Sequence, residues 1–253
     1  MLQAERRNHI IELLNRDGKV VIDDLARILE VSEMTIRRDL QYLEEHKLIT
    51  RTHGGAVLHN LLTKEIPYTK KAEQNIEEKQ RIGMYASSLV KEGDIVILDA
   101  GTTNMEIAKG IVDIKNLKII TNDLMIGAFI SKYDGIEVYC TGGTIQRDTG
   151  ACLGNTAIEF LQNINADIAF VGASAIDIQR GITTPTMEKA QWKKEIIKCA
   201  ERAILVADSL KFRKVSFAKI CSLNRLDLII TDTGIDDEIR QEFENLDVEV
   251  KLV

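Results

Sequence analysis

Apolar residues in the first sixty positions recur with a helical period. Ile22, Leu25, Ala26 and Leu29 stand at i, i+3, i+4 and i+7, one face of a helix. Upstream, Ile10, Ile11, Leu13 and Leu14 mark a helix over about Gln3 to Asn15, with Arg6, Arg7 and Glu12 left to solvent and Gly18 as its stop. Glu30, Val31 and Ser32 interrupt the pattern, and Ser32 is a good N-cap because its hydroxyl accepts a bond from an orphan backbone N–H. Ile36, Leu40 and Leu43 are the buried stripe of a third helix running to about His46. Leu48 to His53 alternates as a strand, Gly54-Gly55 suits the positive φ angles of a tight hairpin turn, and Ala56 to Leu58 is the returning strand.

The period changes after residue 60. His59 to Ala72 has little periodicity and holds Pro67, so it reads as a linker (59–72) between an N-terminal domain (1–58) and a C-terminal domain (73–253). Glu73 to Val90 is a long amphipathic helix. Short apolar strands follow at Ile95–Leu98, Lys118–Thr121, Glu137–Cys140, Ile168–Gly172, Ala203–Ala207 and Leu228–Thr231, with a last one at Val248–Val250. Helical stretches separate most of them. The class is therefore α/β, a helix-turn-helix unit with a hairpin wing joined to a mainly parallel sheet covered on both faces.

Composition narrows the function. The chain has 33 Lys and Arg against 39 Asp and Glu, net -6, which argues against indiscriminate coating of nucleic acid. Even residues 1–60 hold 9 basic and 10 acidic side chains, so DNA contact has to come from a local arrangement and from a specific site. No run approaches the roughly 18 apolar residues of a membrane span. Charge is mixed into the first residues, unlike a secretory signal, so the expected location is the cytoplasm. Cys140, Cys152, Cys199 and Cys221 form no CxxC pair, which points to reduced thiols, with no disulfide framework, structural metal or cofactor expected.

Two constellations carry chemistry. With Ile36, Leu40 and Leu43 inward, Met34, Thr35, Arg37, Arg38 and Gln41 are left to the other faces of the third helix. The N-terminal end of such a helix approaches base edges in the major groove of double-stranded DNA. Arg pairs with guanine, Gln with adenine, and Thr reaches bases or phosphates. Ser32 and the free N–H groups beside it favour phosphate. Arg51 and His53 flank the wing, and Lys47 stands where a phosphate would pass. The plainer alternative, a solvated helix face, fits a lone arginine pair better than one set in a helix-turn-helix frame with a Gly-Gly wing. One helix and one wing cover a half-site, so a homo-oligomer, dimer or tetramer, is expected.

The second constellation lies at three consecutive strand ends, where α/β proteins bind ligands. Asp99-Ala100-Gly101-Thr102-Thr103-Asn104, Thr121-Asn122-Asp123 and Thr141-Gly142-Gly143-Thr144 each open toward helical or polar text. Each turn alone is ordinary loop chemistry. Together, Asp99, Gly101, Thr102, Thr103, Thr121, Asn122, Gly142 and Gly143 read as a site for a phosphate or sugar phosphate, with a helix N-terminus facing the anion.

The run Val31-Ser32-Glu33-Met34-Thr35-Ile36-Arg37-Arg38-Asp39-Leu40, continuing to Arg51-Thr52-His53-Gly54-Gly55-Ala56, resembles the signature of the DeoR family of bacterial transcriptional regulators. From about Glu77 to Asp232 the chain is similar to that family's effector domain, through Asp99–Thr103, Thr121-Asn122, Gly142-Gly143 and Ala207-Asp208-Ser209-Leu210-Lys211-Phe212. The resemblance implies a winged helix-turn-helix that binds operator DNA, usually as a repressor of a sugar-utilisation operon. It also implies an effector domain related in fold to ribose-5-phosphate isomerase and a phosphorylated-sugar effector.

That kinship makes an active sugar-phosphate isomerase carrying a DNA module the rival expectation. Aldose–ketose isomerisation needs a positioned carboxylate base. Where the isomerases read Asp-Gly-Ala-Asp-Glu, this chain reads Val171-Gly172-Ala173-Ser174-Ala175. It keeps a matching Glu188-Lys189. The expectation is a pocket that binds without catalysing, with Glu188 reading a sugar hydroxyl and Lys211 supplying positive charge; the alternative for Glu188 is a carboxylate favoured by the helix dipole.

Overall fold

The computed structural model describes residues 2–17, 19–46, 48–52, 54–58, 61–62, 65–246 and 248–253. Contacts divide the chain into two compact units, Met1–Leu61 and Leu62–Val253. The expectations placed on Gly18, Lys47, His53, His59 and Asn60 lie outside the described residues.

In the first unit, helices Gln3–Asp17, Ile22–Ile28 and Glu33–Glu45 follow one another, and strands Lys19–Val21, Ile49–Thr52 and Gly55–Leu58 form a small antiparallel sheet. The apolar stripes read from the sequence meet in one core of Ile10, Leu14, Leu25, Ile36, Leu40 and Ile49. Ser32 caps the third helix as expected, its Oγ accepting from Thr35 N–H at 3.2 Å. Two features differ. Lys19–Val21 pairs with Gly55–Val57, a strand too short for its period to register. Gly55 already belongs to the returning strand, opposite Thr52, and has no positive φ. Its need for glycine is spatial, because a Cβ there would lie 1.8 Å from the Val20 carbonyl oxygen.

The second unit is built on a seven-stranded sheet ordered Glu249–Leu252, Leu228–Thr231, Ala200–Val206, Ala166–Gly172, Ile95–Leu98, Leu117–Thr121 and Ile136–Cys140. All its pairings are parallel. Alternate residues face opposite cores: Val96 and Leu98 pack with Ile82, Ile107 and Ile126, whereas Ile97 packs with Leu161, Trp192 and Ile196. Both faces are thus buried under helices, which is why the strands read as continuous apolar runs.

The segment read as linker is partly ordered into the second unit. Tyr68–Ala72 is a short helix, and the Tyr68 N–H donates to the Asp148 carbonyl at 2.8 Å. Asn75, at φ 48°, separates it from helix Ile76–Ser87, so the long helix expected from Glu73 to Val90 is shorter at both ends. A second, antiparallel sheet of Ala175–Asp177, Gly181–Thr184 and Ala218–Cys221 had no counterpart in the sequence reading.

Candidate functional site: a DNA-reading face and a lysine-lined pocket

On helix Glu33–Glu45, Met34, Arg37, Arg38 and Gln41 are exposed and Thr35 is half-buried. Arg37 reaches back to Glu33 at 3.3 Å, and Gln41 donates to Glu45 at 3.0 Å. Both are exposed pairs that DNA could exchange at little cost. Arg38 has no partner among the described residues. Arg51 is exposed on the wing strand Ile49–Thr52, where its backbone N–H donates to Glu44.

Asp39 is the buried member of the Arg37-Arg38-Asp39 run. Arg6 and Arg7, expected at the surface, are instead buried and half-buried against it: it accepts from Arg6 Nε at 2.6 Å and Arg7 Nε at 2.9 Å, and Arg7 lies 3.5 Å from the Tyr42 ring centroid. Its carboxylate therefore faces the first helix and is turned away from the exposed Arg37, Arg38 and Gln41.

The second unit holds a pocket beyond the carboxyl ends of its central strands. It is lined by the turn Ala100–Asn104, by Gly172–Ser174, by Lys189 and Lys193, and by Lys71, Lys79 and Lys211. Helix Thr102–Gly110 begins here with no side-chain cap. Its first N–H groups, on Thr102, Thr103 and Asn104, have no partner among the described residues and face the pocket as orphan donors. Asn104 is fully buried, and neither end of its amide has a partner among the described residues.

Other sequence-predicted residues hold this wall in place without lining it. Asn122 Oδ1 accepts from Ala100 N–H at 3.0 Å, and Asp123 accepts from Gly101 N–H at 3.1 Å. Thr121 Oγ1 donates to the Leu98 carbonyl at 2.7 Å. Asp99 accepts from Gly172 N–H at 2.9 Å and Trp192 Nε1 at 3.0 Å, and it ion-pairs with Lys193, which also donates to the Gly172 carbonyl. Asp99 thus sets the lysine at the back of the pocket.

Gly101, Thr102, Thr103 and Lys211 are the predicted residues that line the pocket. Gly142 and Gly143 lie outside its lining. At Gly143, φ is +108° and an added Cβ would lie 2.4 Å from the Leu153 carbonyl oxygen, so glycine serves the adjoining hairpin. Glu188 also lies outside, exposed in the first turn of helix Met187–Cys199, where the dipole favours a carboxylate. Its neighbour Lys189 faces inward instead. Lys71, Lys79 and Lys193 were not singled out from the sequence, and Asn104 and Lys189 stood in the quoted runs without being assigned to the site. Among the lysines the available signal was the i, i+4 spacing of Lys189 and Lys193, which sets both on one helix face.

Burial lowers the Lys189 pKa to about 8, against the opposing pull of Glu65 2.9 Å away. Its charge is present at neutral pH and is lost as pH rises through that value. Val171 is buried in the apolar core, and Ser174 and Ala175 carry no carboxylate, so none of the three supplies a base to the pocket. The described residues contain no cluster of metal-ligating side chains.

Residues 6–60 match the model of the DeoR-like helix-turn-helix domain, and residues 74–233 match that of the DeoR C terminal sensor domain. The chain is 38% identical to the HTH-type transcriptional regulator GlpR of Haloferax volcanii, over 99% of this chain and 98% of that protein. It is 36% identical to the HTH-type transcriptional repressor GlcR of Bacillus subtilis, over 92% of this chain and 89% of the relative. Among solved structures it is similar to ribose 5-phosphate isomerase A of Methanocaldococcus jannaschii, at 17% identity, a TM-score of 0.41 and 55% coverage of each chain. The helix-turn-helix unit and the sensor unit, matched along nearly the whole chain, place this protein in the DeoR family of DNA-binding transcriptional regulators.

Proposed function

We propose that the protein represses a sugar-utilisation operon and releases operator DNA when a phosphorylated sugar fills the lysine-lined pocket. The observation that carries this reading is the meeting of the uncapped N-terminus of helix Thr102–Gly110 with Lys189, Lys193 and Lys211. Orphan N–H groups and ammonium groups around one space select a compact anion. The buried Asn104 amide and the Thr102 and Thr103 hydroxyls add neutral partners of the kind a sugar offers. GlcR, a repressor by name, supports the direction of control. The protein acts in the cytoplasm as a dimer or tetramer, since one recognition helix and wing read a half-site. No helix among the described residues is long and apolar enough to cross a membrane.

Calorimetric titration of the full chain with pentose and hexose phosphates, each beside its unphosphorylated sugar, tests the reading. A phosphorylated member should bind at least tenfold tighter than its parent sugar. Its affinity should fall as pH rises from 7 to 9, because Lys189 loses its proton near 8. Lys189→Met should flatten that slope. Equal affinity for phosphorylated and parent sugars would rule the reading out.

A further inference from the structure

Two pocket-lining side chains, Asp208 and Glu65, have the wrong sign for an anion site, and Glu65 is the one near the junction of the units. Glu65 stands just before Ile66-Pro67 in the segment that joins the two units, and both Glu65 and Ile66 line the pocket. Its Oε2 lies 3.1 Å from Lys71 Nζ and its Oε1 lies 2.9 Å from Lys189 Nζ. Burial alone would push its pKa up, but the two lysines outweigh that and hold it below the usual value, so the carboxylate is charged at neutral pH.

The other cations of the pocket have partners of their own. Lys193 is matched by Asp99, and Lys211 by Asp208 at 3.8 Å. Lys79 donates to the carbonyls of Lys71 and Gln74. Among the described residues, Lys71 and Lys189 have Glu65 as their only carboxylate. Glu65 thus occupies the place an anionic ligand would take, and its hold is imperfect. Among the described residues Oε1 makes no directed hydrogen bond, although it is buried and close to Lys189.

We infer that Glu65 is the built-in anion of the sensor pocket, displaced when the phosphate of an effector takes over Lys71 and Lys189. This inference rests on reading the pocket as an anion site and names how that site is regulated. A phosphate held by Thr102–Asn104 and Lys189 adds negative charge beside Glu65 and removes its partners. Both effects drive the carboxylate out. Glu65 is four residues from Leu61, where the DNA-reading unit ends. Its release frees the chain at the junction between the units, which gives effector binding a covalent route to the first one.

The test uses the full chain and Glu65→Gln, with inorganic phosphate as the probe at pH 7 and low salt. Glu65→Gln should bind phosphate at least fivefold tighter than the parent. In the parent, phosphate should speed amide hydrogen exchange over residues 65–73, where Tyr68 N–H is bonded to Asp148. The variant should exchange quickly there without phosphate. Equal or weaker binding by Glu65→Gln would overturn the inference, as would exchange in the parent that phosphate leaves unchanged or slows. Binding by both proteins with equal affinity would leave the anion pocket standing and remove the displacement, whereas binding by neither would remove both.

Discussion

Asp39→Ala is expected to unfold the DNA-reading unit at physiological temperature while the sensor unit stays folded. Asp39 is fully buried, and its two oxygens are shared between Arg6 and Arg7. Removing it strands two mostly buried guanidinium groups and unties the first helix from the third. Breaking a buried ion pair from one side costs about 3–5 kcal/mol. A unit of about sixty residues has little more than that in hand. At roughly 4–8 °C per kcal/mol for a domain of this size, its melting point should fall by on the order of 15 °C or more. Calorimetry of the full chain should show the loss in one transition only. A transition of the first unit that stays within a few degrees of the parent's would contradict the role given to Asp39. The same variant should lose DNA binding and keep phosphosugar binding, which separates folding of the reading unit from the chemistry of the sensor.

Asp99→Ala should be the matching lesion in the sensor unit. Its carboxylate ties the turn after strand Ile95–Leu98 to Gly172 and to Trp192 and Lys193 of helix Met187–Cys199. Without it, Lys193 is left in a buried site with only the Gly172 carbonyl. The cost is again about 3–5 kcal/mol. At about 2–4 °C per kcal/mol for a larger unit, the sensor transition should drop by on the order of 10 °C. Phosphosugar binding should be lost as well. Lys193→Met alone should be milder in stability, because Asp99 keeps two N–H donors. The double variant Asp99→Ala/Lys193→Met should recover part of the stability, since it no longer buries an unpaired charge. Strict additivity of the two single losses would show that the pair is not coupled.

The sequence was most legible where burial repeats locally. The stripe Ile22, Leu25, Leu29 and the stripe Ile36, Leu40, Leu43 are both buried in the core of the first unit. The strands of the large sheet stood out as apolar runs because both faces are covered. The antiparallel sheet around Ile182 did not, because its strands are three or four residues long and their pattern is mixed. The pocket was legible on one wall only. Gly101, Thr102 and Thr103 share a turn and betray it by composition. Glu65, Lys79, Lys189 and Lys211 come from segments far apart in sequence, and the fold alone brings them together. Of the pair Glu188-Lys189, helical geometry turns the lysine inward and the glutamate outward. Asp39 lies in a run with two exposed arginines, yet its partners are 33 and 32 residues upstream, beyond the reach of any local pattern.

Control of DNA binding by a phosphorylated sugar is the centre of this account, and one measurement addresses it directly. A fluorescent DNA duplex, selected for binding to the full chain, is followed by anisotropy while pentose and hexose phosphates and their parent sugars are added one at a time. At least one phosphorylated sugar should release the duplex, weakening binding tenfold or more, while its parent sugar at the same concentration has no effect. Affinity for DNA that stays constant while a phosphosugar saturates the pocket, or release by the parent sugar to the same degree, would contradict the account.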